Sequence, residues 1–140
     1  MFVTLATQGS AFDKIKGTSG SDLYAKVIAQ FLYPCAMTFV TDDLLLITTK
    51  PGKLWLVTKE GVKRQVSGVP KPIVAGQGGL GDVVVHPNFD QNKFVYLSLV
   101  KSPDNGATRS AVVIKGKAEQ QVFLGLEIAD CRSHARHLRF

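Results

Sequence analysis

Cysteine is scarce: only Cys35 and Cys131 in 140 residues, far apart in sequence. There is no C-x-x-C pair and no His/Cys cluster at zinc spacing, which excludes zinc ribbons and thioredoxin-type redox motifs. Two buried free thiols are expected, and a disulfide stays open in an oxidising compartment. Long apolar runs are missing too, so no helical membrane span is expected. The N-terminus, Met1 to Thr7, has no basic leader region and its apolar run is broken by threonines, which makes a poor signal peptide. No membrane partner is expected, and the compartment is unknown from the chain. Acidic residues are outnumbered, 11 against 17 basic, for a net charge of +6. The lysines are scattered (Lys50, Lys53, Lys59, Lys63, Lys93, Lys101, Lys115, Lys117), and only the tail from Arg132 to Arg139 is concentrated. No pattern of stacking aromatics accompanies that tail, so a solvated surface is expected and no nucleic-acid partner.

What is present reads as short strands. The chain is 45% hydrophobic, enough for a folded domain. Four runs succeed one another: Ala36–Val40, Leu44–Thr49, Lys53–Thr58 and Val62–Val66. They are separated by Asp42-Asp43, Lys50-Pro51-Gly52 and Glu60-Gly61, all turn signals. The first three are apolar and the fourth is charged. That gradient suits inner strands buried on both faces and an outer edge that resists pairing. The cycle repeats at Asp82–Val85, Lys93–Val100, Arg109–Lys115 and Gln120–Leu126. Aligning Phe39 with Val85 gives a period of 46 residues. Four-stranded units at this period predict propeller blades. The stretch Asp22–Leu32 has apolar residues at helical spacing, but a strand over Lys26–Phe31 fits the propeller better.

Between the two cycles lies Gly76-Gln77-Gly78-Gly79-Leu80-Gly81. Its G-x-G-x-x-G pattern is that of a dinucleotide loop, which needs a helix immediately after it. Here Val83-Val84-Val85 favours a strand and Pro87 would break a helix. The loop is therefore expected to be a glycine-rich turn into a buried strand.

Three stretches carry a family resemblance. Tyr33 to Phe39 looks like a Pro-Trp-x-x-x-Phe opening. Leu45 to Leu54 looks like Leu-Val-Thr-Glu-Arg-Pro-Gly-Arg-Leu. The third begins at Gly76 to Leu80, takes in His86-Pro87-Asn88-Phe89 and runs on to Val95 to Ser98. It looks like a segment built on Gly-Gln-Gly-Gly-Leu-Leu-Asp-x-x-x-His-Pro-Asp-Phe. In order and spacing these resemble the glucose/sorbosone dehydrogenase family, soluble quinoprotein sugar dehydrogenases. The resemblance implies an all-β fold: about two four-stranded blades of a six-bladed β-propeller, incomplete. Residues 1–25 would be an N-terminal extension. Residues 26–140 would be a partial propeller, with blade one at about 33–69, blade two at about 80–127, and the start of a third.

The same resemblance implies the chemistry. The family oxidises an aldose at C1 to the lactone with pyrroloquinoline quinone (PQQ) and calcium, and is often exported. Gln77 would face the cofactor and sugar cleft, its amide able both to donate and to accept hydrogen bonds. His86 would be a structural turn residue. The family's general base is a histidine in a Gly-His-x-Gly-x-Arg-Leu stretch, and the matching stretch Ser133–Phe140 puts His134 in that position. Ser133 replaces the glycine, the arginine is displaced, and 126–131 shows no likeness. Thr49 stands where the family has Glu, and Cys35 where it has Trp. Calcium ligands and the remaining PQQ contacts would lie in later blades. The expectation is a truncated member, inactive alone. The alternative is a non-catalytic propeller sector that binds a partner or self-associates through its open blade edges.

Overall fold

The structure is a computed structural model that describes residues 13–119 and 122–130. The chain divides into two compact units, Met1–Gln30 and Phe31–Phe140. In the first, β1 (Asp13–Lys16) and β2 (Asp22–Ala25) form an antiparallel hairpin. Gly20 closes its turn at φ 82°, donating its N–H to the Gly17 carbonyl at 3.0 Å. This corrects the reading of a strand over Lys26–Phe31: that stretch is neither strand nor helix. An apolar repeat makes a helix only when its stripe is buried, and Leu23, Tyr24 and Val27 are exposed. The glycine turn at 17–20 instead gives Asp22–Ala25 a local partner.

The second unit holds two four-stranded antiparallel sheets. Blade one runs β3 (Pro34–Thr41), β4 (Leu44–Thr49), β5 (Lys53–Thr58), β6 (Lys63–Val66), in that spatial order. Gly52 (φ 105°) and Gly61 (φ 89°) make the turns that the sequence marks. Blade two runs β7 (Leu80–Val85), α1 (Phe89–Asn92), β8 (Phe94–Lys101), β9 (Ser110–Glu119), β10 (Val122–Asp130), with spatial order β7-β8-β9-β10.

Registry assigns the faces. Leu80 pairs Leu99, Val83 pairs Leu97 and Val85 pairs Val95, so these six share one side of blade two. They meet Leu46, Leu54 and Val66 of blade one in the main core. The blades pack through their inner strands, β3 and β4 against β7. The charged fourth strand is as expected: Lys63, Arg64 and Gln65 are exposed and only Val66 is buried. The inner strand is not. Met37 is 61% and Phe39 57% exposed, because β3 buries only its other face, with Ala36 and Val40 packed on the core. Cys35 is likewise a free, exposed thiol rather than a buried one.

Candidate functional site

Strand direction gathers one set of loops at one end of both blades. β3 and β7 begin there, β4 and β8 end there, and β9 starts there. Tyr33, Lys50, the 76–79 loop and the 102–109 loop therefore share that end. Gln77 sits on the 76–79 loop, exposed, and borders a groove of about 150 Å³ with Cys35, Gly81, Ser98, Val100 and Ala111.

This loop is held by blade one. The Leu80 N–H donates to the Lys50 carbonyl at 3.1 Å, and the Lys50 ammonium donates to the Gly76 carbonyl at 2.5 Å. Thr48, fully buried at 0% exposure, donates its hydroxyl to the Gly81 carbonyl at 2.5 Å and accepts the Ala36 N–H at 3.1 Å. That hydroxyl stands in for a ladder partner where β3 and β4 slip register between Pro34 and Ala36. Behind the loop, the Val100 N–H donates to the Gly79 carbonyl at 3.0 Å and the Ile73 N–H to the Val100 carbonyl at 2.8 Å. The glycine at 79 is required by proximity: a Cβ there would stand 2.5 Å from the Lys50 carbonyl oxygen. Gly76 is required by its conformation, φ 55°, in open space. The pattern resembling a nucleotide cradle is thus the seam between two blades. No local signal pointed to Thr48, since its bond spans 33 positions.

His86 lies at the other end. β7 separates it from the loop by six residues, about 20 Å of strand. Its Nδ1 accepts the Asn88 N–H at 3.0 Å and lies 2.8 Å from the Asn92 amide. Its ring lies 6.2 Å from Phe94 and 6.3 Å from Tyr96. These contacts hold the turn into β8. Thr49 is buried and donates to the Lys53 carbonyl at 3.3 Å. His134 and Cys131 lie outside the described residues.

The loop after β8 contains the most perturbed carboxylate among the described residues. Asp104 accepts the Thr108 N–H and hydroxyl, both at 2.7 Å, and the Ser102 hydroxyl at 2.8 Å. Those bonds, Thr108's first, favour the ionised form and lower its pKa to about 2.

Among the described residues no group of three or more His, Cys, Asp or Glu side chains could hold a metal ion. The groove is smaller than the roughly 300–1,000 Å³ of ordinary ligand pockets, so it forms one wall rather than a site.

Three comparisons bear on this wall. The family model for glucose / sorbosone dehydrogenase matches residues 31–131. The aldose sugar dehydrogenase YliI of Escherichia coli is 40% identical over 83 residues, which are 57% of this chain and 22% of that protein. The crystal structure of the soluble aldose sugar dehydrogenase of Escherichia coli in its apo form superposes with a TM-score of 0.61 at 30% identity, over 69% of this chain and 29% of that one. A PQQ-bound aldose sugar dehydrogenase from Streptomyces coelicolor has the same fold: TM-score 0.58, 19% identity, 74% and 30% coverage. The chain thus spans about a fifth of the curated relatives' length.

Proposed function

The chain belongs to the glucose/sorbosone dehydrogenase family, and from that premise we propose that it is a two-blade sector of a PQQ-dependent aldose dehydrogenase, contributing the Gln77 wall of its cleft. The observation that carries the reading is the seam: the Leu45–Leu54 and Gly76–Leu80 stretches that resemble the family's motifs meet there, and Thr48 and Lys50 hold the Gln77 loop at the blade ends. In the complete enzyme the reaction is oxidation of the sugar C1 hydroxyl to the lactone, with PQQ, when bound, as electron acceptor. Gln77 orients the sugar and quinone oxygens through its amide, and His134 occupies the motif position of the general base. This stretch alone does not turn over, because it supplies one wall and no calcium ligand set among its described residues.

Two experiments test this. The purified chain, reconstituted with PQQ and calcium and offered glucose, should reduce dye no faster than free PQQ; robust turnover overturns the claim of inactivity. Residues 31–118 grafted in place of the matching stretch of the Escherichia coli relative should support turnover. Gln77→Ala in that chimera should lower kcat/KM about tenfold, the worth of one lost hydrogen bond. A change under twofold would remove Gln77 from the cleft.

A further inference from the structure

The loop from β8 to β9 carries the only Asn-Gly pair in the sequence, Asn105-Gly106. Both residues have positive φ, 53° and 104°, and the Ala107 N–H donates to the Asp104 carbonyl at 3.3 Å. This is a type I′ turn, which favours that pair. Asn105 is exposed, and a Cβ on Gly106 would meet nothing within 4 Å. With no side chain beside it, the Gly106 nitrogen is an unhindered nucleophile next to an asparagine amide. The turn is also clasped. Ser102 Oγ accepts the Gly106 N–H at 2.6 Å and donates to Asp104 Oδ1 at 2.8 Å. Asp104 in turn accepts the Thr108 N–H and hydroxyl, both at 2.7 Å. The other two asparagines are placed differently. Asn88 and Asn92 precede Phe89 and Lys93, and the Asn92 amide is engaged by His86 and by the Phe94 N–H.

We propose that Asn105 is a self-modification site, converted to aspartate and isoaspartate at a rate set by the clasp of Ser102, Asp104 and Thr108. The Gly106 backbone nitrogen loses its proton and bonds to the side-chain amide carbon of Asn105. The bond from that carbon to the amide nitrogen breaks, and ammonia leaves. Water then opens the succinimide ring. Cleavage of the new bond gives aspartate, and cleavage of the original peptide bond gives isoaspartate. Nothing is oxidised or reduced, and solvent water is the sole co-reactant. The five-membered ring cannot close at the ψ of a type I′ turn, and Ser102 holds the Gly106 N–H, so the turn opens first. A reaction through a locally opened state runs in proportion to that state's population. Each product sets a second carboxylate beside Asp104. Isoaspartate also adds a methylene to the backbone, which the two-residue turn does not accommodate. The change falls at the blade end that carries Gln77. Every group it uses lies between Ser102 and Thr108, so it stands independently of the reading of Gln77.

The purified chain is held at mildly alkaline pH, where loss of the amide proton is favoured. Asn105 is followed by peptide mapping, with a fragmentation that separates isoaspartate from aspartate. The same chain in guanidinium gives the rate with the turn open. Asn105 should convert in both states, ahead of Asn88 and Asn92 and with isoaspartate among its products. In the folded chain it should convert about ten- to a hundredfold more slowly, the worth of one or two hydrogen bonds. Ser102→Ala should raise the folded rate about tenfold, and Thr108→Val, which removes one hydroxyl from Asp104, about threefold. Both should leave the guanidinium rate and the folded chain's circular dichroism spectrum unchanged. No acid at Asn105 in the folded chain, once the denatured chain has converted fully, overturns the site, as does earlier conversion of Asn88 or Asn92. Aspartate without isoaspartate overturns the succinimide route. Equal folded rates for the parent chain and both variants overturn the clasp.

Discussion

Replacing Thr48 by valine keeps the shape of the side chain and removes only its hydroxyl, so the loss can be worked from the bonds. That hydroxyl serves two backbone groups, the Ala36 N–H at 3.1 Å and the Gly81 carbonyl at 2.5 Å. Both are partly buried, so each costs about 1–1.5 kcal/mol when left unpaired, toward the low end of the usual range. The sum is about 2–3 kcal/mol. Thr48→Ser keeps the hydroxyl and deletes one buried methyl, a loss of about 1 kcal/mol. The order is therefore counterintuitive, with the better isostere the worse substitution. Urea unfolding followed through Trp55, the sole tryptophan, reports on the neighbouring strand, since Trp55 pairs Ile47. With a slope of roughly 1.5–2 kcal/mol per molar, the valine midpoint should fall by about 1–2 M and the serine midpoint by about half a molar. Equal midpoints, or serine below valine, would refute the claim that this hydroxyl ties the blades.

Two further outcomes are expected. Gly79→Ala forces a Cβ to within 2.5 Å of the Lys50 carbonyl and spreads the Leu80–Lys50 bond; a cost of about 2–4 kcal/mol is expected. Gly76→Ala meets nothing within 4 Å and should cost only the left-handed penalty of about 1–2 kcal/mol; the reverse order in the same urea assay would contradict the seam. For Asp104, the depressed pKa means that its bonds to Thr108 and Ser102 hold the loop above the ordinary carboxylate value and are lost as pH falls toward 2. The Thr108 amide shift, followed by NMR, should titrate with a midpoint near 2, and a midpoint at or above 3.8 would show those bonds absent in solution.

The sequence announces strands where two local signals agree. β4 and β5 are bounded by Asp42-Asp43 and by Lys50-Pro51-Gly52, and they form over the residues expected, Leu44–Thr49 and Lys53–Thr58. Strand ends set by partners are less visible. β9 continues to Glu119 because Gly116 and Lys117 pair with Val95 and Phe94, although glycine and lysine are weak strand formers. β7 begins at Leu80, inside the glycine motif, because Leu80 pairs Leu99 across an irregular register. The stretch Lys26–Phe31 misleads, since apolar spacing says nothing of whether a face is available to bury it. On the candidate site, the reading of Gln77 as a cleft residue rests on its motif alone. Thr48 and Lys50 are invisible to it, because their partners are carbonyls that only the folded chain brings near.

The polar ties between the blades, from Thr48 to Gly81 and from Lys50 to Gly76 and Leu80, all stand at the Gln77 end. At the His86 end the blades part around an apolar groove of about 320 Å³, bordered by Val40, Leu44, Leu56, Phe89 and Lys93. Directional bonds resist displacement at their own position, whereas apolar contact tolerates sliding. The pair of blades therefore behaves like a book bound along one edge. The page carrying Gln77 lies in the spine, where angular motion displaces it least, and the opening angle is set at the opposite margin. A substitution that fills or empties that groove would change how widely the sector splays, without touching the Gln77 loop.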